Sequence, residues 1–173
     1  AACFAEVLRM RPDTKFLIVN RGEHAYISER LAAAGIPSEA VELTAATPAE
    51  MPRLIARMDA SVFFIKPVFS KQASAATKLA ELLGCGVPCL SNAGVGDMAE
   101  VLEGERVGVA LRAFDRASLS EGLDELLALA ADPTTSARCV SAAQKHFSLD
   151  QGVKKYQGIY EQLSQMGKNK VRS

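Results

Sequence analysis

Short apolar runs alternate with helical patterns from residue 15 to residue 111, and this alternation restricts the fold more than any other feature. Residues 15–20 (KFLIVN), 41–43 (VEL), 61–65 (SVFFI), 88–91 (PCLS) and 106–111 (RVGVAL) read as strands. They are short and rich in apolar residues, as expected of strands covered on both faces. Between them, residues 23–34, 75–83 and 97–102 carry apolar positions at helical spacing. Such an order specifies a parallel sheet with right-handed crossovers. The expected fold is α/β, a Rossmann-like doubly wound parallel sheet with helices on both faces.

Local signals set the ends. Gly35 suits the left-handed closure of the first of these helices. Thr47-Pro48-Ala49-Glu50 joins an N-cap, a proline at the first helical position and the returning glutamate of a capping box, so a helix is expected to start there. After Leu111 the pattern is helical only, over residues 119–130 and 136–146, then a last helix with Ser148 as N-cap and Gln151 in the capping-box position. The polar tail, residues 168–173, is expected to fray. The sequence opens in a helical segment ending at Arg11-Pro12, whereas a doubly wound sheet begins on a strand. Residues 1–173 are therefore expected to form a single domain whose first strand lies upstream.

A chain of 173 residues that is 49% hydrophobic and 23% charged suits one domain with a substantial core. Twenty Lys plus Arg balance twenty Asp plus Glu, so no net positive field draws in nucleic acid, and an anionic ligand must be gripped locally. Residues 1–12 (AACFAEVLRMRP) lack the unbroken apolar core of a signal peptide. No stretch approaches the roughly twenty apolar residues of a membrane span, and a cytoplasmic location is expected. Cys3, Cys85, Cys89 and Cys139 form no CxxC pair and the two histidines are far apart, so buried reduced thiols and no metal site are expected.

Ligands of open parallel sheets bind at the carboxyl ends of the strands. The loops to examine follow Asn20, Leu43, Ile65 and Ser91. The longest, residues 66–74 (KPVFSKQAS), brings two lysines and backbone N–H groups to the start of the helix ATKLAELLG, a plausible phosphate cradle. Lys78 and Glu81 share a face of that helix. On spacing alone the simplest reading is an exposed ion pair worth about 0.3–0.5 kcal/mol.

The motif order in KPVFSKQASAATKLAELLGCGVPCLSNAGVGDMAEVL resembles the donor-binding core of the family 4 glycosyltransferases with the GT-B fold. Glu81, Gly86-Val87-Pro88, Cys89-Leu90-Ser91 and Gly94-Val95-Gly96-Asp97 fall in that family's order. FLIVNRGE, VELTAATPAEMPRLIARMDASVFFIKP and FSLDQGVKKYQGIYEQL are similar to its flanking strands and terminal helix. The resemblance implies the donor-binding half of an enzyme moving a sugar from a nucleotide diphosphate sugar to a glycan or lipid-linked acceptor, as in cell-surface polysaccharide or glycoconjugate synthesis. It also implies retention of configuration, no cofactor besides the donor, an N-terminal acceptor domain that is absent, a full-length enzyme peripheral to the membrane, and an isolated chain without activity.

By the same resemblance, the carboxylate of Glu81 accepts hydrogen bonds from the ribose hydroxyls, and backbone around Thr44, Ala45 and Ala46 reads the base. The first glutamate of the family's pair falls at Ala73. Ser74, Thr77, Lys78, Glu81, Gly94 and Gly96 fit a subgroup that also lacks it. The family's diphosphate-binding arginine and lysine follow the absent first strand, which leaves Lys71 or Lys78 to supply charge.

Two other readings stay open. Gly94-Val95-Gly96-Asp97-Met98-Ala99 satisfies the G-x-G-x-x-A dinucleotide fingerprint with Asp115 beyond the next strand, as in an NAD(P)-dependent oxidoreductase. Against it, polar Ser91-Asn92 interrupt the approach to the glycines. A non-catalytic Rossmann-like nucleotide-binding or interaction module is motivated by Ala73.

Overall fold

A computed structural model describes residues 2–170, with side chains through residue 164. Helix α1 (Ala2–Met10) leads to β1 (Phe16–Val19), α2 (His24–Ala33), a 3-10 turn (Ser38–Ala40) and β2 (Val41–Thr44). There follow α3 (Met51–Ile55), β3 (Ser61–Val62), a second 3-10 turn (Phe69–Lys71), α4 (Thr77–Gly84), β4 (Cys89–Asn92), α5 (Met98–Gly104) and β5 (Gly108–Leu111). Helices α6 (Arg116–Ala131), α7 (Thr135–Phe147) and α8 (Leu149–Lys170) complete the described chain.

All strand pairs are parallel, and helices cover both faces. On one face Leu79, Leu83, Met98, Leu102 and Cys139 pack against the sheet from α4, α5 and α7. On the other, Cys3, Val7, Leu31, Leu119 and Leu123 from α1, α2 and α6 meet Phe16, Leu90 and Val109. The Rossmann-like expectation holds, with one difference: the strands form two sheets, β1–β2 and β3–β4–β5, rather than one continuous sheet.

Two elements are shorter than their sequence patterns. The SVFFI run pairs only as Ser61–Val62. Beyond it the buried side chain of Asn92 takes the place of a neighbouring strand, accepting from Ile65 N–H at 2.8 Å and donating to Ile65 C=O at 2.9 Å. The extended chain is thus held by a side-chain amide.

The helix expected from Thr47 begins at Met51. The Glu50 carboxylate accepts from both the Thr47 N–H at 2.8 Å and the Thr47 hydroxyl at 2.7 Å. A complete capping box needs that hydroxyl as an acceptor for the N3 amide, so only half of the box forms. A turn results, and the helix starts after it.

Gly35 closes α2 as expected, with φ 72° and its N–H on Ala32 C=O. The last helix follows Ser148, whose hydroxyl accepts from Gln151 N–H at 3.4 Å, and α8 extends to Lys170. Residues 171–173 of the expected frayed tail lie outside the described residues.

The α6–α7 corner carries a pH-sensitive contact. Asp132 accepts from the Thr134 N–H, the Thr134 hydroxyl and Arg138. Together these lower its pKa from the ordinary 3.8 to about 2. A depressed acid stabilises the fold above its unfolded pKa and loses that contribution as pH falls through the folded value. The stability advantage of the wild type over Asp132→Asn in urea unfolding is expected to be constant above about pH 5 and to shrink between about pH 4 and pH 2. An advantage independent of pH across that window would exclude the ionised contact.

Cys3, Cys89 and Cys139 are buried free thiols, and Cys85 is half-buried. Burial pushes Cys3 and Cys139 up to about 11 and raises Cys89 in the same direction, so all three stay protonated at neutral pH. Among the described residues no helix is long and apolar enough to cross a membrane.

Candidate functional site

The two halves of the molecule wind in opposite directions. The helix joining β1 to β2 lies on the α1 face, whereas α4 and α5, which join β3 to β4 and β4 to β5, lie on the other. With right-handed crossovers, the strand order must reverse between β1 and β3. This topological switch point is where ligands of open parallel sheets bind. A cleft of about 730 Å³ lies there, and its lining includes Asn20, Arg21, Ala46, Pro48, Lys78 and Glu81.

Each of these residues is positioned by its element. Asn20 ends the β1 ladder, its N–H on Thr44 C=O, and its side-chain oxygen accepts from the N–H groups of Gly22 and Glu23 at 3.0 and 2.9 Å. That turn fixes the entry to α2. Arg21 donates from Nε to Ala46 C=O at 3.1 Å, which ties the loop after β1 to the loop after β2. Lys78 and Glu81 lie one turn apart on the exposed side of α4.

The Lys78–Glu81 ion pair suggested by spacing is not formed: among the described residues neither side chain lies within 4.0 Å of an opposite charge. The carboxylate thus keeps its acceptor positions for another donor.

In the loop of residues 66–74, expected from sequence as a phosphate cradle, four backbone amides are committed within the loop. Its Val68, Lys71, Gln72 and Ser74 N–H groups bond to the carbonyls of Lys66, Val68, Phe69 and Lys71. Ser74 Oγ donates to Ser70 C=O at 3.1 Å. Further donors lie at the start of α4, where the N-cap residue, extended Ala76, offers no capping side chain.

The glycine loop supports its neighbouring loop. Gly96 donates to Gln72 C=O at 3.0 Å, and a Cβ on Gly96 would stand 2.3 Å from Ser74 C=O. A Cβ on Gly94 would meet Pro67 at 3.4 Å. Gly94 and Gly96 have φ of 82° and 49°. Ser74, Gly94 and Gly96 therefore belong to one packed loop pair, from which Thr77 starts α4. None of these four lines the cleft. Thr44 donates to Ala45 C=O at 3.3 Å, and the following Ala46 reaches the cleft.

This packing weakens the dinucleotide reading at both its signature positions. The Ser74 carbonyl occupies the approach to Gly96 that a pyrophosphate would need. The Asp115 carboxylate caps α6, accepting from the Ser118 N–H at 3.0 Å and the Ser118 hydroxyl at 2.8 Å.

Arg21 is the residue that the sequence argument passed over. The signal was available, since Arg21 is the basic residue directly after Asn20, at the carboxyl end of a strand.

Residues 1–129 match the family model described as glycosyl transferases group 1. The chain belongs to this family. A solved chain titled "Crystal structure of GtfA/B complex" is similar to this group 1 domain with TM-score 0.67 and 14% identity, over 92% of this chain and 32% of that one. The group 1 domain thus spans about a third of that solved chain and shares its GT-B-like fold. No curated protein matches the sequence.

Proposed function

We propose that this group 1 domain holds the nucleotide diphosphate part of a sugar-nucleotide donor at the switch point, for glycosyl transfer to an acceptor bound by a further domain. The observation that carries the reading is the convergence of Glu81, which has no ion-pair partner among the described residues, with Lys78, Arg21 and Asn20 on one cleft. A carboxylate with free acceptor positions suits two adjacent ribose hydroxyls. Lys78, Arg21 and the uncapped start of α4 supply positive potential for a diphosphate.

In this reading the domain contributes no covalent nucleophile. Charge developing on the departing diphosphate is stabilised by fixed donors, which act without reorganisation during transfer. Retention of configuration and a role in polysaccharide or glycoconjugate synthesis follow the family resemblance. The α8 residues Leu149, Val153, Tyr156, Tyr160 and Leu163 form an uncovered apolar stripe, which supports packing against more protein.

The reading is tested by thermal shift with uridine, guanosine and adenosine diphosphates against NAD. A nucleotide present at a hundred times its dissociation constant is expected to stabilise the fold by about 2.7 kcal/mol. At least one diphosphate should do so with EDTA present, and NAD should not. Stabilisation by NAD alone, or by none of the four, would overturn the proposal.

A further inference from the structure

Where the loops after β1 and β2 meet the cleft, the uncommitted side-chain groups are donors. Arg21 Nε donates to Ala46 C=O at 3.1 Å, and among the described residues its guanidinium has no other hydrogen bond and no ion pair. That bond holds the guanidinium by its Nε edge and leaves both Nη groups, a planar fork of donors, for a ligand. Asn20 is spent in the same sense. Its Oδ1 accepts from the N–H groups of Gly22 and Glu23 at 3.0 and 2.9 Å, so the group it has left is the Nδ2 donor. Asn20, Arg21 and Ala46 all line the cleft.

A nucleoside diphosphate with its ribose at Glu81 and its phosphates near Lys78 has both anchors on α4. Its base then extends to the part of the cleft that the loops after β1 and β2 build. There Pro48 and Met51 add apolar surface suited to the faces of a base ring, and Arg21 with Asn20 adds donors suited to an edge that carries acceptors.

The geometry points to Arg21 as the residue that reads the base and to guanine as the base it reads, so that the donor is a guanosine diphosphate sugar; this rests on the donor reading proposed above. Guanine carries two neighbouring acceptors, O6 and N7, on an edge clear of the ribose, and a guanidinium fork pairs with both. Adenine sets an amino donor beside N7, which would meet the donors of Arg21 and Asn20. Uracil offers O4 alone, between N3–H and C5–H. The adjacent acceptors of cytosine, O2 and N3, begin beside the glycosidic bond, where the ribose crowds them. In the guanine complex the Nη groups donate to O6 and N7 while Nε stays on Ala46, and the charge of Arg21 still adds to the potential at the diphosphate.

The test is calorimetric titration of the 173-residue chain with guanosine, inosine, 7-deazaguanosine, adenosine, uridine and cytidine diphosphates. A bidentate contact of this kind discriminates by roughly 5- to 150-fold. Guanosine diphosphate is expected to bind tighter than the adenosine, uridine and cytidine forms by a factor in that range. Inosine diphosphate, which keeps O6 and N7, should bind within about threefold of the guanosine form, and 7-deazaguanosine diphosphate, which lacks N7, should bind more weakly than either. Arg21→Lys keeps the charge and removes the fork, so it should erase most of the guanine preference and change uridine diphosphate affinity little. A purely structural loosening of the two loops would weaken all the nucleotides alike.

Adenosine, uridine or cytidine diphosphate binding as tightly as guanosine diphosphate would overturn the assignment. So would full affinity for the 7-deaza form, or a guanine preference that survives Arg21→Lys. Each of these results leaves the donor reading standing, because a nucleoside diphosphate still binds. Binding of none of the six would overturn the donor reading and the assignment with it.

Discussion

Gly96→Val is expected to destabilise the domain by roughly 2–5 kcal/mol, the sum of a left-handed backbone strain and an overpacking cost. The φ of Gly96 is 49°, and the added Cβ would lie 2.3 Å from the backbone oxygen of Ser74. A backbone oxygen offers no rotamer to move out of the way. Gly94→Ala is the comparison, because its Cβ would meet only the side chain of Pro67 at 3.4 Å. There the expected loss is roughly 1–2 kcal/mol, from φ alone. Urea unfolding of both variants gives the difference. Equal small losses would show that residues 66–76 lift away from the glycine loop without penalty, and the packed loop pair would have to be abandoned.

The alternation of strands and helices was legible because each strand is an apolar run covered on both sides, a pattern that needs no partner to be recognised. What sequence could not show was where the ladders stop. Phe63, Phe64 and Ile65 look like strand, yet Ile65 is paired by the side chain of Asn92, which lies 27 residues away. Asn92 itself reads as an ordinary polar end to β4. The helix at Thr47 failed for a local reason: the capping-box residues were present, but the Thr47 hydroxyl donated to Glu50 rather than accepting. Composition fixes which partners are available and leaves the direction of the bond open.

The candidate site was legible where one element carried it. Lys78 and Glu81 share one helix, so their common face followed from spacing. Arg21 was obscured because it joins them only through the fold, across the cleft from α4. The glycine loop was misleading for the same reason. Positive φ values and open space for a ligand are separate properties, and the space beside Gly96 is filled by a loop more than twenty residues earlier.

Glu81→Gln is expected to weaken nucleoside diphosphate binding by about one to two orders of magnitude, because a hydrogen bond to a charged group contributes roughly 1.5–3 kcal/mol. The substitution keeps size and helix propensity and exchanges one acceptor oxygen for a donor group. Glu81 is exposed and has no ion-pair partner among the described residues, so folding stability should change by less than about 0.5 kcal/mol. Affinity and stability therefore separate, which they would not for a residue that merely supports α4. Titrating the ribose diphosphate and its 2′-deoxy analogue into both proteins locates the contact. If the carboxylate accepts from the 2′-hydroxyl, removing that hydroxyl weakens the wild type more than the variant, since the variant has already lost the bond. Equal losses in the two proteins would separate Glu81 from the 2′-hydroxyl. Unchanged affinity of the variant for the ribose form would remove Glu81 from the site, leaving Arg21 and Lys78 to define an anion position without a ribose anchor.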